Sequence, residues 1–254
     1  MRPNSYQKLE NQVRTCEFPL PGSVAIIQPY VFPYLGYFQL LHAVENVVFY
    51  DDVNFIKRGW INRNQILVNG KEFMFTIPLR KASQNKLINE IELVEKQLFI
   101  QKFRLQLKLA YAKAPYYHDV KEVIESVFVG DYSNIGDLAI VSILAVYRYL
   151  NMDLNWMKSS EEFCETKGQE KADRLIHISK MLACDTYINP VGGKSLYHKD
   201  YFAKHGIDLS FIESGKINYK QFENDFVPYL SIIDVMMFND KAAVIELLNN
   251  FKIG

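Results

Sequence analysis

The chain has 254 residues, with 29 basic side chains against 29 acidic ones and no net charge. It therefore lacks the basic footprint of a non-specific nucleic-acid binder, and no DNA partner is expected. The length suits one large α/β domain, alone or with an insertion, and no apolar run reaches the roughly 18 residues that cross a bilayer.

Three isolated cysteines, Cys16, Cys164 and Cys184, have no CxxC spacing, which argues against a disulfide framework or a zinc site and fits a reducing compartment. Residues 1–22 are polar, without a signal-peptide core, and read as a loose N-terminal arm. Residues 23–254 then form a single domain, expected in the cytoplasm. VAII at 24–27 is three-quarters β-branched, as a buried strand wants. A loop with prolines, tyrosines and Gly36 leads into a short amphipathic helix and a second strand ending at Asp51-Asp52. The loop KRGWINRN follows, and then a hairpin around Asn69-Gly70, where an NG pair between β-rich runs is a strong turn marker.

From about 95 to 150 the pattern is helical. Leu98, Phe99, Phe103, Leu107 and Tyr111 recur at helical spacing with lysines opposite, and Ala114-Pro115 ends that helix. A second helix is expected over 118–128, and a third, capped by Ser133, over 134–150. Alternation then returns: strand LNWMKSS, helix 167–183, strand DTYINP, loop VGGKSLY, helix HKDYFAKHG, strand IDLSFIE and a last helix KAAVIELLNNF. The expected fold class is α/β. It is a mostly parallel Rossmann-like sheet of nucleotidyl-transferase-like layout, with a hairpin and a helical insertion.

Ligands of such sheets bind at strand tips. Tyr34-Leu35-Gly36-Tyr37 occupies the place where nucleotidyl transferases carry HxGH, so Gly36 would let phosphate approach a helix start, although both histidines are absent. Pro33 and Gly36 serve a plain turn equally well. Asp51 and Asp52 should point to opposite faces of an extended chain, which disfavours a shared metal; Asp52 is the candidate proton acceptor, with turn capping as the alternative. Lys57 and Arg63 offer charge for phosphate, Trp60 a stacking face, and Asn62 and Asn64 amide recognition. Gly192 sits in a strand-to-helix loop that suits an anion or serves as an ordinary turn, and Arg174 either reaches the site or pairs on the surface. Asp234 lies among apolar residues and needs a partner. The five histidines lack metal spacing, and no metal site is expected.

IIQPYVFPYLGYF, YDDVNFIKRGWINRNQI, PVGGKSLY and YLSIIDVMMFN together resemble the WbqC-like proteins, from about Val24 to Asn239. Those are bacterial proteins often encoded with enzymes of O-antigen and other surface-polysaccharide synthesis, some of them labelled glycine transferases. The resemblance implies tailoring of a sugar for lipopolysaccharide or another surface glycan. It marks as site residues Gln28, Tyr30, Pro33, Gly36, Tyr37, Asp51, Asp52, Lys57, Trp60, Asn62, Arg63, Asn64, Gly192, Tyr197, Ser231 and Asp234. The expected reaction joins an aminoacyl or acyl group, such as glycyl, to the amine of a nucleotide-linked amino sugar. ATP with Mg2+ would activate the donor as an acyl-adenylate, with Asp52, Lys57 and Arg63 as the catalytic set. A preactivated donor (aminoacyl-tRNA or acyl-thioester) and a non-catalytic module binding a sugar nucleotide or a partner enzyme stay open.

Overall fold

The computed structural model describes residues 18–94, 97–223 and 225–254. Most of the arm expected over 1–22 lies outside the described residues, and strand β1 (Leu20–Ile27) begins before its expected end. The central sheet has six strands in the order β5-β2-β1-β6-β7-β8. These are β2 (Val44–Phe49), β5 (Trp156–Lys158), β6 (Thr186–Pro190), β7 (Asp208–Ser214) and β8 (Phe251–Ile253) around β1. All neighbours are parallel except β7 and β8. β1 has β2 on one side and β6 on the other, so the strand order reverses there, the place where such sheets open a crevice.

Alternation along the strands divides the core into two layers. Ala25, Val47, Phe49, Ile188 and Ile212 face α1 (Leu35–Ala43), α4 (Ile135–Tyr149) and α9 (Lys241–Leu248). Val24, Ile26, Val48, Tyr187 and Phe211 face α6 (Lys171–Met181) and α7 (Lys199–Lys204). The first layer continues through α2 (Gln97–Tyr111), α3 (Tyr117–Val129) and α8 (Ile232–Phe238), so the helical segment shares the core of the sheet. The hairpin β3 (Arg63–Val68) and β4 (Lys71–Thr76) turns at Asn69 and Gly70, whose φ angles of 51° and 71° suit that pair.

Local expectations change at four points. α1 is buried along nearly its whole length rather than amphipathic. Asn134, not Ser133, caps α4, its side chain accepting from the Asp137 amide. Leu98 is exposed, so leucines share the outer face of α2 with the lysines. The final helix stops at Leu248, because Asn249 and Asn250 turn the chain and Phe251 enters the antiparallel strand β8.

Candidate functional site

Between β1 and α1 the chain passes through Phe32, whose φ of 42° is left-handed and costly for a bulky side chain. Three side chains hold it there. The Phe32 amide donates to Ser142 Oγ at 2.9 Å, and its carbonyl accepts from Asn64 Nδ2 and Ser231 Oγ, each at 2.7 Å. Ser231 also caps α8, and the Ile232 amide donates to Pro33 O at 2.9 Å. Asn64 and Ser231 therefore brace the loop. Asn62 does the same for the hairpin, donating to Ile77 O at 2.8 Å.

The braced loop forms the wall between two cavities. One, of about 200 Å³, is lined by Tyr30, Pro33, Tyr34, Trp60, Asn64 and Tyr229. Trp60 is 43% exposed and Tyr229 79%, so flat apolar faces stand open to a ligand. The other, of about 240 Å³, is lined by Gly36, Ser214, Gly215, Lys216, Tyr219 and, again, Tyr34 and Tyr229. Its floor is the first turn of α1, whose cap residue Tyr34 makes no side-chain capping bond. The Tyr37 amide is closed onto Tyr34 O at 3.1 Å, so what the turn offers an anion is its positive dipole end. Gly36 allows a close approach here: a Cβ would lie 2.5 Å from the Tyr34 ring and 2.8 Å from Ser214 Oγ, so either side chain would have to shift. Burial, with Tyr34 nearby, raises the Tyr30 hydroxyl above its ordinary range, and burial, with Tyr229 nearby, does the same to Tyr34; both are neutral donors.

The remaining expected residues lie elsewhere. Tyr37 is buried and donates to Gln28 O at 3.0 Å, its ring 5.6 Å from that of Tyr30, so both support the loop from behind. Arg63 donates from Nε to the carbonyl of Gly59, at 2.9 Å, and from Nη2 to that of Arg58, with its guanidinium 5.7 Å from the Trp60 ring centre. It sets the loop that presents Trp60. Lys57 is exposed on that loop. Gly192 is exposed in a 3-10 turn after β6, and Tyr197 packs edge-on against Tyr187 and Phe202.

Asp51 and Asp52 do not face apart. β2 ends at Phe49 and the Asp51 amide turns back to Phe49 O at 3.0 Å, which breaks the alternation. Ser159 Oγ then lies 2.5 Å from Asp52 Oδ1 and 3.2 Å from Asp51 Oδ1. Asp51 accepts from the Ser160 amide at 3.0 Å and hydroxyl at 2.7 Å, capping α5 (Ser159–Glu162) from outside. Asp52 forms a buried ion pair with Arg174 at 2.6 Å, and Arg174 Nε donates to Thr166 Oγ1 at 3.0 Å. Arg174 thus pairs inside the protein, tying the tip of β2 to α6, and these groups do not line the aromatic cleft.

Asp234 is fully buried and accepts from Tyr111 Oη at 2.7 Å, Tyr219 Oη at 2.8 Å and Gln221 Nε2 at 2.7 Å. Burial outweighs these three bonds and raises its carboxyl above the usual range. Through Tyr219 it touches the wall of the anion-side cavity.

Ser214, Lys216, Tyr219 and Tyr229 were not among the expected residues, and Tyr34 was expected only within the Tyr34-Leu35-Gly36-Tyr37 turn. Two indications were present: Ser214-Gly215-Lys216 follows a strand, and Tyr229 opens the YLSIIDVMMFN motif. A larger hollow of about 480 Å³ lies beside Trp156 and α4, where Asp137 already pairs with Lys158 at 2.9 Å. It gathers none of the expected residues, and the braced cleft is the better-built site.

The family model described as the WbqC-like protein family matches residues 28–246. An uncharacterized protein of Mycobacterium tuberculosis, Rv1507c, is 25% identical over 228 residues, covering 89% of this chain and 96% of that protein. No solved structure matches the chain.

Proposed function

Because the chain belongs to the WbqC-like protein family, we propose that it is a transferase acting on a nucleotide-linked amino sugar of surface-polysaccharide synthesis. It joins an aminoacyl or acyl group, such as glycyl, to the sugar amine. The observation that carries this reading is the pair of cavities meeting at Tyr34 and Tyr229, one aromatic and one at the start of α1 beside Ser214 and Lys216. A sugar nucleotide has both chemistries in one molecule: flat rings for Trp60 and Tyr30, and phosphates for the first turn of α1 with Ser214 and Lys216.

The sugar amine must lose a proton as the amide bond forms, and Tyr219 is the group of this cleft with a relay behind it. In the proposal its oxygen takes the amine proton while its own proton passes to Asp234 Oδ2, 2.8 Å away. Asp52, committed to Arg174 and Ser159, is not used. ATP is the proposed source of energy: the donor carboxylate displaces pyrophosphate to form an acyl-adenylate, and the sugar amine then displaces AMP. Among the described residues no dedicated magnesium site is furnished, since the Asp51 and Asp52 oxygens are already engaged.

The test is incubation with glycine, ATP and a panel of nucleotide-linked amino sugars, followed by mass spectrometry and an AMP assay. Amide product with AMP release supports the reading. Absence of product from every donor and acceptor, including carrier-bound donors, overturns it.

A further inference from the structure

Helix α2 is two-faced. Phe103, Leu107 and Tyr111 are buried in the core, and Phe99 stacks on Phe103 at 5.5 Å. On the other side Leu98, Leu105 and Leu109 are 63%, 63% and 83% exposed. At 3.6 residues per turn, positions i, i+7 and i+11 fall in one narrow stripe. Lys102 flanks that stripe on one side and Lys108 on the other, with Lys113 just past the helix end. No acidic residue occurs from Gln97 to His118. Arg104 is taken by Glu125 at 3.0 Å, whereas Lys102, Lys108 and Lys113 are exposed and make no ion pair among the described residues.

We infer that this face of α2 docks on an anionic phospholipid surface, the leucines entering the acyl boundary and the lysines meeting lipid phosphates. Charge selects this occupant. A leucine stripe bordered by lysines on both sides, without a carboxylate, has the composition of a helix lying in a membrane interface. A second copy of the chain would bring lysine flanks against lysine flanks, where paired helices need opposite signs. No helix among the described residues is long and apolar enough to cross a membrane, so the contact is peripheral.

The test is co-sedimentation of the full chain with phosphatidylcholine vesicles, with and without phosphatidylglycerol. Binding is expected with the anionic vesicles alone and is expected to weaken with salt. Leu105→Glu with Leu109→Glu should abolish it, and Lys102→Gln with Lys108→Gln should weaken it about fivefold per lysine. Both variants should keep the unaltered melting temperature, because the substituted side chains are exposed. Three outcomes would overturn the inference: no sedimentation of the unaltered protein, sedimentation indifferent to the leucine changes, or a dimer that those changes dissolve without any vesicle binding. Capture by poly-glutamate in place of vesicles would equally reject it in favour of an acidic polypeptide.

Discussion

Asp234 shows how one side chain carries several constraints. Its three donors come from α2, from the segment after β7 and from the loop that returns to α8. Asp234→Asn sets amide hydrogens against some of these donors and should lower the unfolding free energy by about 2–3 kcal/mol, measured by denaturant titration. The sign of the pH effect follows from the raised carboxyl. The folded state holds this proton more tightly than the unfolded chain, so its stabilising contribution grows as pH falls through the folded-state pKa. The stability gap between the unaltered protein and the Asn variant should therefore widen on acidification. Tyr147 is the opposite case: its hydroxyl is buried without a partner among the described residues. Tyr147→Phe should leave stability unchanged or raise it by up to ~1 kcal/mol in a thermal melt, because no bond is lost.

At the scale of elements, the buried Asp52–Arg174 pair joins the end of β2 to α6. Asp52→Asn or Arg174→Met alone should cost about 3–5 kcal/mol by leaving one buried charge, whereas the double change should recover much of that loss. A chemical-denaturation cycle measures both. The turn into α1 gives a contrasting prediction, about ligand rather than stability. Gly36→Ala crowds Tyr34 and Ser214 at the first turn of α1 and should weaken nucleotide-sugar binding in calorimetry. Trp60→Ala, at an exposed stacking position, should weaken binding about tenfold and leave the melting temperature nearly unchanged.

Across the whole molecule, the helices between Gln97 and Tyr149 share one continuous core with the sheet, through residues such as Phe103, Ile124 and Ile143. They are not an appendage that can be removed. Replacing 97–149 by a short linker should leave a chain without a cooperative melt, because the sheet face packed against α4 would lose that cover, and α1 and α8 would lose their neighbours in the shared core. Loss of near-ultraviolet circular dichroism would record this directly.

Much of the architecture was readable before any coordinates, because it rests on local chemistry. β-branched runs at VAII and DTYINP, the NG turn and the helical spacing of Phe99, Phe103, Leu107 and Tyr111 each act within a few residues. The position of the loop between β1 and α1 was also readable, from the prolines, tyrosines and Gly36 that follow VAII. Tertiary structure decided the rest, since it concerns partners far apart in the chain. Asp52 meets Arg174 across 122 positions and Ser231 meets Phe32 across 199. Which carboxylate is left for a ligand depends on such pairings, and no spacing rule reports them. The anion-side cavity likewise exists only because α1 lies against Ser214 and Lys216, which arrive from the far end of the sheet. Composition and periodicity determine which surfaces seek burial; packing alone determines which polar groups are consumed by it and which remain for chemistry.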